Sequence, residues 1–264
     1  MEMNQPIGVL DSGSGGLSVW QSMRALMPNE STVYIGDHRH LPYGEKPRTF
    51  IQNRVISLID VLIRRKSKII VVACNTATVM GIEVYRSVYP NIPIVGVVPV
   101  VKTAVSVTKT GRIAILSTPK TARSVYQKRL IREFASSCRV FSVGAPGLVG
   151  LVEEGLTDHK NIASVTSAVL KNLSSKNIDT LVLGCTHFPF LNDTIRAIVG
   201  ERMYILDSGE AVARHVQRIL ANNNALTTST QSRNHFLTTG DATRVSRIAS
   251  SLVKTTITFT HVAL

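Results

Sequence analysis

Residues 69–79 read IIVVACNTATV, and residues 180–190 read TLVLGCTHFPF. Each is a short apolar run that closes on a small residue and a cysteine, with Thr or Asn-Thr next. The run at 69–73 is apolar on both faces, as a strand buried inside a parallel sheet must be. Working outward, the same texture recurs. IGVL at 7–10 ends at Asp11, VYI at 33–35 ends at Gly36-Asp37, and IVGVV at 94–98 ends at Pro99. A second series follows at 113–116, 140–143, 181–183 and 204–206. Segments such as 50–65 and 161–171 lie between them, with apolar residues at the three- and four-residue steps of a helix. Strand and helix alternating in this way predict an α/β fold with mostly parallel sheets.

The two series also match each other. Cys74 and Cys185 are 111 residues apart, and PIVGVVP near 93 meets MYILDSG near 203 at about the same offset. IGVLDSGSGGLSV from residue 7 has its counterpart in IAILSTPKTARSV from residue 113. This predicts two similar lobes of roughly 100 residues, one formed by 1–98 with 208–264 and the other by 99–207. The tail beyond Asp207 reads as a helix at 210–220 and a second at 243–252, packed back on the first lobe. NNNALTTSTQS at 222–232 between them is expected to be a mobile loop.

Composition narrows the function. The chain has 264 residues, 44% of them hydrophobic, enough for a core and too many for a disordered chain. Three scattered cysteines make no disulfide framework and predict a reducing, cytoplasmic compartment. The start, MEMNQPIGVLDSG, carries no signal-peptide pattern, and no window approaches the length of a membrane span. A net charge of +13 raises nucleic acid as a partner. However, the longest basic run is Arg64-Arg65-Lys66 and aromatics are 5%, which argues against nucleic-acid binding and for a generally basic surface.

Ligands of open parallel sheets bind at the carboxyl ends of the strands. The residues there are Asp11-Ser12-Gly13, the Tyr43-Gly44 loop, Cys74-Asn75-Thr76, Ser117-Thr118 and Cys185-Thr186-His187. A near two-fold relation of the lobes would put Cys74 and Cys185 on opposite walls of one interlobe cleft. Helix starts after strand ends offer amide N–H groups and a positive dipole end that favour thiolate. One thiolate and one thiol on either side of a carbon can take a proton from one face and return one to the other, which is racemisation or epimerisation. Ser12, Asn75, Thr76 and Thr186 supply neutral donors for a carboxylate, while Asp11 and His187 are placed to relay a proton. Cys138, with no motif around it, reads as a small buried hydrophobe.

Other readings compete. Gly13-x-Gly15-x-x-Ser18, with Asp37 further on, falls one glycine short of a dinucleotide fingerprint and suggests an oxidoreductase. A metal site from Cys74, Cys185 and His187 lacks ligand spacing, and a cysteine hydrolase would leave one cysteine idle. No lysine motif suggests pyridoxal phosphate. A hydrogen on a carbon next to a carboxylate is a far weaker acid than a thiol, so closure of the lobes or the Tyr43 loop over the substrate is expected, to give a dry site.

The motifs IGVLDSGSGGLSV, LPYGEK, VVACNTATV, LVEEG, DTLVLGCTHFPFL, DSGEAVAR and TTGDATR, spread over residues 7–252, resemble the glutamate racemase family. The resemblance implies a cofactor-independent, metal-free isomerase supplying D-glutamate for peptidoglycan, with an aspartate or related racemase as the alternative. It implies Cys74 as the acid/base for the D-isomer and Cys185 for the L-isomer, with Asp11 and His187 assisting and Glu153 a further candidate. Asp11, Ser12, Tyr43, Gly44, Asn75, Thr76, Thr118, Thr121, Thr186 and His187 would line the glutamate pocket. His38-Arg39-His40 departs from the family's usual Thr-Ala-Arg, and Val100-Val101 lies in a variable segment. The sequence leaves open whether the chain works as a homodimer.

Overall fold

The computed structural model describes residues 2–156 and 160–264. The chain forms two compact units, Met1–Val97 with Gly209–Leu264, and Val98–Ser208. The first begins with β1 (Ile7–Asp11), α1 (Leu17–Leu26), β2 (Thr32–Gly36), α2 (Arg48–Arg64), β3 (Ile69–Val72), α3 (Asn75–Val88) and β4 (Ile94–Gly96). The second runs α4 (Val101–Val107), β5 (Arg112–Ser117), α5 (Pro119–Arg123), α6 (Val125–Phe134) and β6 (Arg139–Gly144), then α7 (Leu148–Glu153), α8 (Lys160–Leu170), β7 (Thr180–Leu183), α9 (Asn192–Val199) and β8 (Tyr204–Leu206). The chain then returns to the first unit as α10 (Gly209–Asn222), β9 (Asn234–Thr238), α11 (Ala242–Val253) and β10 (Phe259–His261).

Every strand pairing described is parallel. The first unit's sheet has the order β10-β9-β2-β1-β3-β4, and the second unit's has β6-β5-β7-β8. Both therefore contain the same four-strand order: second, first, third, fourth. This repeats at the level of topology what the sequence offset suggests. In such an order the connections reverse direction between the first and third strands, and ligands bind in the crevice at that switch point. The crevice lies at the carboxyl ends of β1 and β3 in one unit and of β5 and β7 in the other. Ala73 N donates to Leu10 O, and Gly184 N donates to Leu116 O, both at 2.7 Å. Each ladder thus runs past its strands to the threshold of a cysteine.

Strands β1, β2 and β3 are buried throughout. Close approach fixes glycine at two places near the first crevice. A Cβ at Gly16 would lie 2.8 Å from Asp11 Cβ, and one at Gly36 would lie 2.7 Å from the Gly13 carbonyl oxygen.

The tail departs from the sequence reading in two ways. Besides its two helices it contributes two strands, with β9 pairing to β2 and β10 to β9. The stretch 222–232, expected to be a mobile loop, is instead pinned to the first unit. Ala225 is buried and its carbonyl accepts from Lys68 Nζ at 2.8 Å. Lys68 also donates to Met3 O and pairs with buried Glu30 at 2.6 Å, and Glu30 in turn accepts from Thr227 N. A buried ion pair that leans on loop backbone for its remaining hydrogen bonds leaves that loop little freedom. Among the described residues, no helix is long and apolar enough to cross a membrane.

Candidate active site

The crevice of the first unit gathers Asp11, Ser12, Tyr43, Cys74, Asn75 and Thr76. Cys74 is the N-cap of α3: its extended backbone precedes the helix, and its Sγ accepts from Ala77 N at 3.4 Å. Ser12, from the loop after β1, lies 3.7 Å from the same sulfur. An amide and a helix N-terminus aimed at one sulfur are features that stabilise negative charge on it. Asp11, fully buried at the end of β1, accepts from Gly13 N at 2.7 Å and so shapes the loop that carries Ser12. Among the described residues the buried Nδ2 of Asn75 has no hydrogen-bond partner. It is an amide donor available to an anionic ligand.

The crevice of the second unit gathers Cys185, Thr186 and His187 with Glu153 from α7. His187 Nδ1 lies 3.8 Å from Cys185 Sγ, and its Nε2 lies 2.7 Å from Glu153 Oε1. Burial pulls the imidazole pKa down, but its hydrogen bonds to Cys185 and Glu153 outweigh that and leave it well above the ordinary histidine value. This imidazole, held by Glu153, is the polar neighbour of the Cys185 sulfur, as the helix start is of Cys74. The expectation that both cysteines open helices is therefore corrected. Pro189 lies in a 3-10 turn, Phe188–Leu191, and α9 starts only at Asn192. Thr118 caps α5, and its hydroxyl donates to Thr121 Oγ1 at 3.0 Å.

Each unit thus carries its share of the sequence candidates on the segments that follow its strands. Gly44 follows Tyr43 in a short turn, Tyr43–Glu45, and Cys138 lies apart, packed against the cluster that includes Ile113 and Val182. Two groups have parts the sequence reading did not assign them. Asp37, read there only within an incomplete dinucleotide fingerprint, is fully buried with its carboxylate engaged by its own chain. It accepts from Tyr43 Oη at 2.7 Å, Thr239 Oγ1 at 2.8 Å, His40 Nδ1 at 2.9 Å, and two Arg54 nitrogens at 3.0 Å. Burial alone would raise its pKa, but Arg54, then His40, Tyr43 and Thr239, bring it down to about 2. The other group is the threonine pair Thr238-Thr239, whose partners lie some 200 positions away in sequence and give no local signal.

Residues 7–216 match the family model described as Asp/Glu/Hydantoin racemase. The chain belongs to this racemase family. It is 38% identical to the glutamate racemase of Ectopseudomonas mendocina (strain ymp), over 95% of this chain and 97% of that one. Its fold matches the glutamate racemase isoform RacE1 of Bacillus anthracis with a TM-score of 0.93 at 33% identity, covering 100% and 99% of the two chains. Escherichia coli glutamate racemase, in complex with L-glutamate and the activator UDP-MurNAc-ala, matches with a TM-score of 0.87 at 31% identity over 98% of each chain. The fold class read from the sequence, α/β with parallel sheets flanked by helices, is the fold of these racemases. As a member of the racemase family the chain is an isomerase.

Proposed function

We propose that the protein interconverts L- and D-glutamate by a two-thiol reaction and supplies D-glutamate for peptidoglycan in the cytoplasm. One observation carries the reading. The two cysteines occupy the same topological place, just past the third strand of two sheets with the same order, and each sulfur has its own polar support. A racemase needs two acid/bases that act on opposite faces of one carbon. Cys74 as thiolate takes the α-proton of D-glutamate, and the electron pair stays on Cα and its carboxylate. Cys185 as thiol then delivers its proton to the other face. L-glutamate leaves, with the charge now on Cys185, and the reverse reaction exchanges the roles. Donors such as Asn75 Nδ2 hold the substrate carboxylates and spread the developing negative charge. His187, held by Glu153, balances charge at Cys185. Asp11 is proposed to assist at Cys74, and Ser12, Tyr43, Gly44, Thr76, Thr118, Thr121 and Thr186 to line the substrate site.

The test is racemisation in D2O, followed by NMR and chiral analysis. With either enantiomer of glutamate, early product should carry deuterium at Cα while remaining substrate keeps its proton. Deuterium appearing equally in substrate and product would overturn the two-thiol mechanism. Turnover of aspartate in preference to glutamate would move the chain to the related aspartate racemase reading.

A further inference from the structure

The motif TTGDATR contributes Thr238 and Thr239 at the end of β9, and neither belongs to the proposed chemistry. Both are buried, and both reach back to the segment that follows β2. Thr239 donates from Oγ1 to Asp37 Oδ1 at 2.8 Å. Its hydroxyl oxygen accepts from Arg39 N at 3.1 Å, and its own amide donates to Gly36 O at 3.1 Å. The Asp37 carboxylate so anchored accepts the Tyr43 hydroxyl, which fixes the turn Tyr43–Glu45. Thr238 Oγ1 lies 2.9 Å from His38 Nδ1, and His38 Nε2 lies 3.0 Å from Ser14 Oγ. Ser14 stands two residues beyond Ser12, the neighbour of the Cys74 sulfur. Two adjacent threonines therefore hold both substrate loops from behind, one through Asp37 and one through His38.

We infer that Thr238 and Thr239 are positioning residues for the racemase reaction: the C-terminal segment clamps the Ser12–Ser14 and Tyr43–Gly44 loops in the geometry that binds the substrate. The inference rests on the glutamate reading above. Tyr43 gives its hydroxyl to Asp37, so its own contribution to a ligand runs through the backbone of its turn, and loop placement decides affinity. His38 bridges Thr238 to Ser14 with its ring.

The experiment compares Thr239→Val, Thr239→Ser, Tyr43→Phe and the Thr239→Val/Tyr43→Phe double variant by steady-state kinetics with D- and L-glutamate. Thr239→Val keeps the shape and removes the hydroxyl. It is expected to lower kcat/KM about tenfold, mainly through KM, because a loop that binds ground state and transition state alike acts on KM. Thr239→Ser, which restores the hydroxyl, should return KM to within about twofold of wild type. The double variant should be no worse than the poorer single one, since both changes cut one chain of contacts. If Thr239→Val does not fold, Tyr43→Phe breaks the same link from the other end and should show the same rise in KM. The inference is overturned by an unchanged KM in Thr239→Val or Tyr43→Phe, by a serine variant no better than valine, or by additive effects in the double. A wild-type enzyme inert towards glutamate would sink the parent reading and this one with it, whereas an active wild type with indifferent threonine variants sinks only this one.

Discussion

Cys74 and Cys185 hold equivalent places in the two sheets, yet their supports differ. Cys74 has a helix start and Ser12; Cys185 has an imidazole backed by a carboxylate. Replacing either by alanine should abolish racemisation in a chiral assay, while Cys138→Ala, changed at a half-buried packing position, should leave it intact. Full activity in the Cys185 variant would refute the two-thiol assignment. The unequal supports also predict a pH effect. Glu153 helps keep His187 protonated above its ordinary range. Glu153→Gln removes that help, so the imidazole should lose its proton at lower pH, and the basic limb of the kcat/KM profile should move down. Enantiomers have equal free energy in water, so kcat/KM must be the same from both directions, and the two profiles must shift together. An unmoved limb would show that His187 does not act in the protonated form. The cysteines were legible because they recur at a fixed offset at strand ends. Asp37 was legible as a strand-end carboxylate but misread, because its partners Arg54 and Thr239 come from other elements.

At the scale of elements, the strands with unbroken apolar runs declared themselves, and β9 and β10 did not. Asn234–Thr238 and Phe259–His261 are short, partly polar and partly exposed, and they extend the sheet at its edge. β9 is placed by β2, roughly 200 residues earlier, and β10 by β9, rather than by their own periodicity. The polar loop before β9 was misread for a similar reason. Its anchor is Lys68, a fully buried lysine just before β3, paired with Glu30. Lys68→Met would leave the Glu30 carboxylate buried without its cation, a loss of about 3–5 kcal/mol. Urea denaturation should report that destabilisation, and limited proteolysis should cut faster at 222–232. Wild-type stability and protease resistance in Lys68→Met would refute the anchoring role.

For the whole molecule, the repeated strand order explains why a sequence offset could reveal the architecture. Two units built on the same order of four strands keep equivalent residues at equivalent strand ends, so spacing alone marks them. Net charge of +13 carried no such positional information, but it bears on stability. Each unit holds a carboxylate whose pKa is lowered to about 2: Asp37 in the first and Asp179 in the second. Asp179 reaches that value against burial by accepting from Thr108, the Lys109 and Thr110 amides, and Thr180. A carboxylate with a lower pKa folded than unfolded stabilises the fold above its unfolded pKa, and that contribution fades as pH falls through the folded value. For Asp37, whose unfolded value is 3.8, the difference amounts to about 2 kcal/mol. As pH falls from 4 towards 2 both units should therefore weaken. Thirty lysines and arginines and seven histidines are then left unopposed and add self-repulsion to the loss. Asp37→Asn separates the two effects. It should be less stable than wild type at pH 6 and should show a shallower fall in unfolding free energy between pH 4 and 2.5, because the titrating group is gone while the surface charge is retained. Parallel acid profiles for the two proteins, measured by urea denaturation, would place the acid sensitivity in general charge repulsion and remove Asp37 as its source.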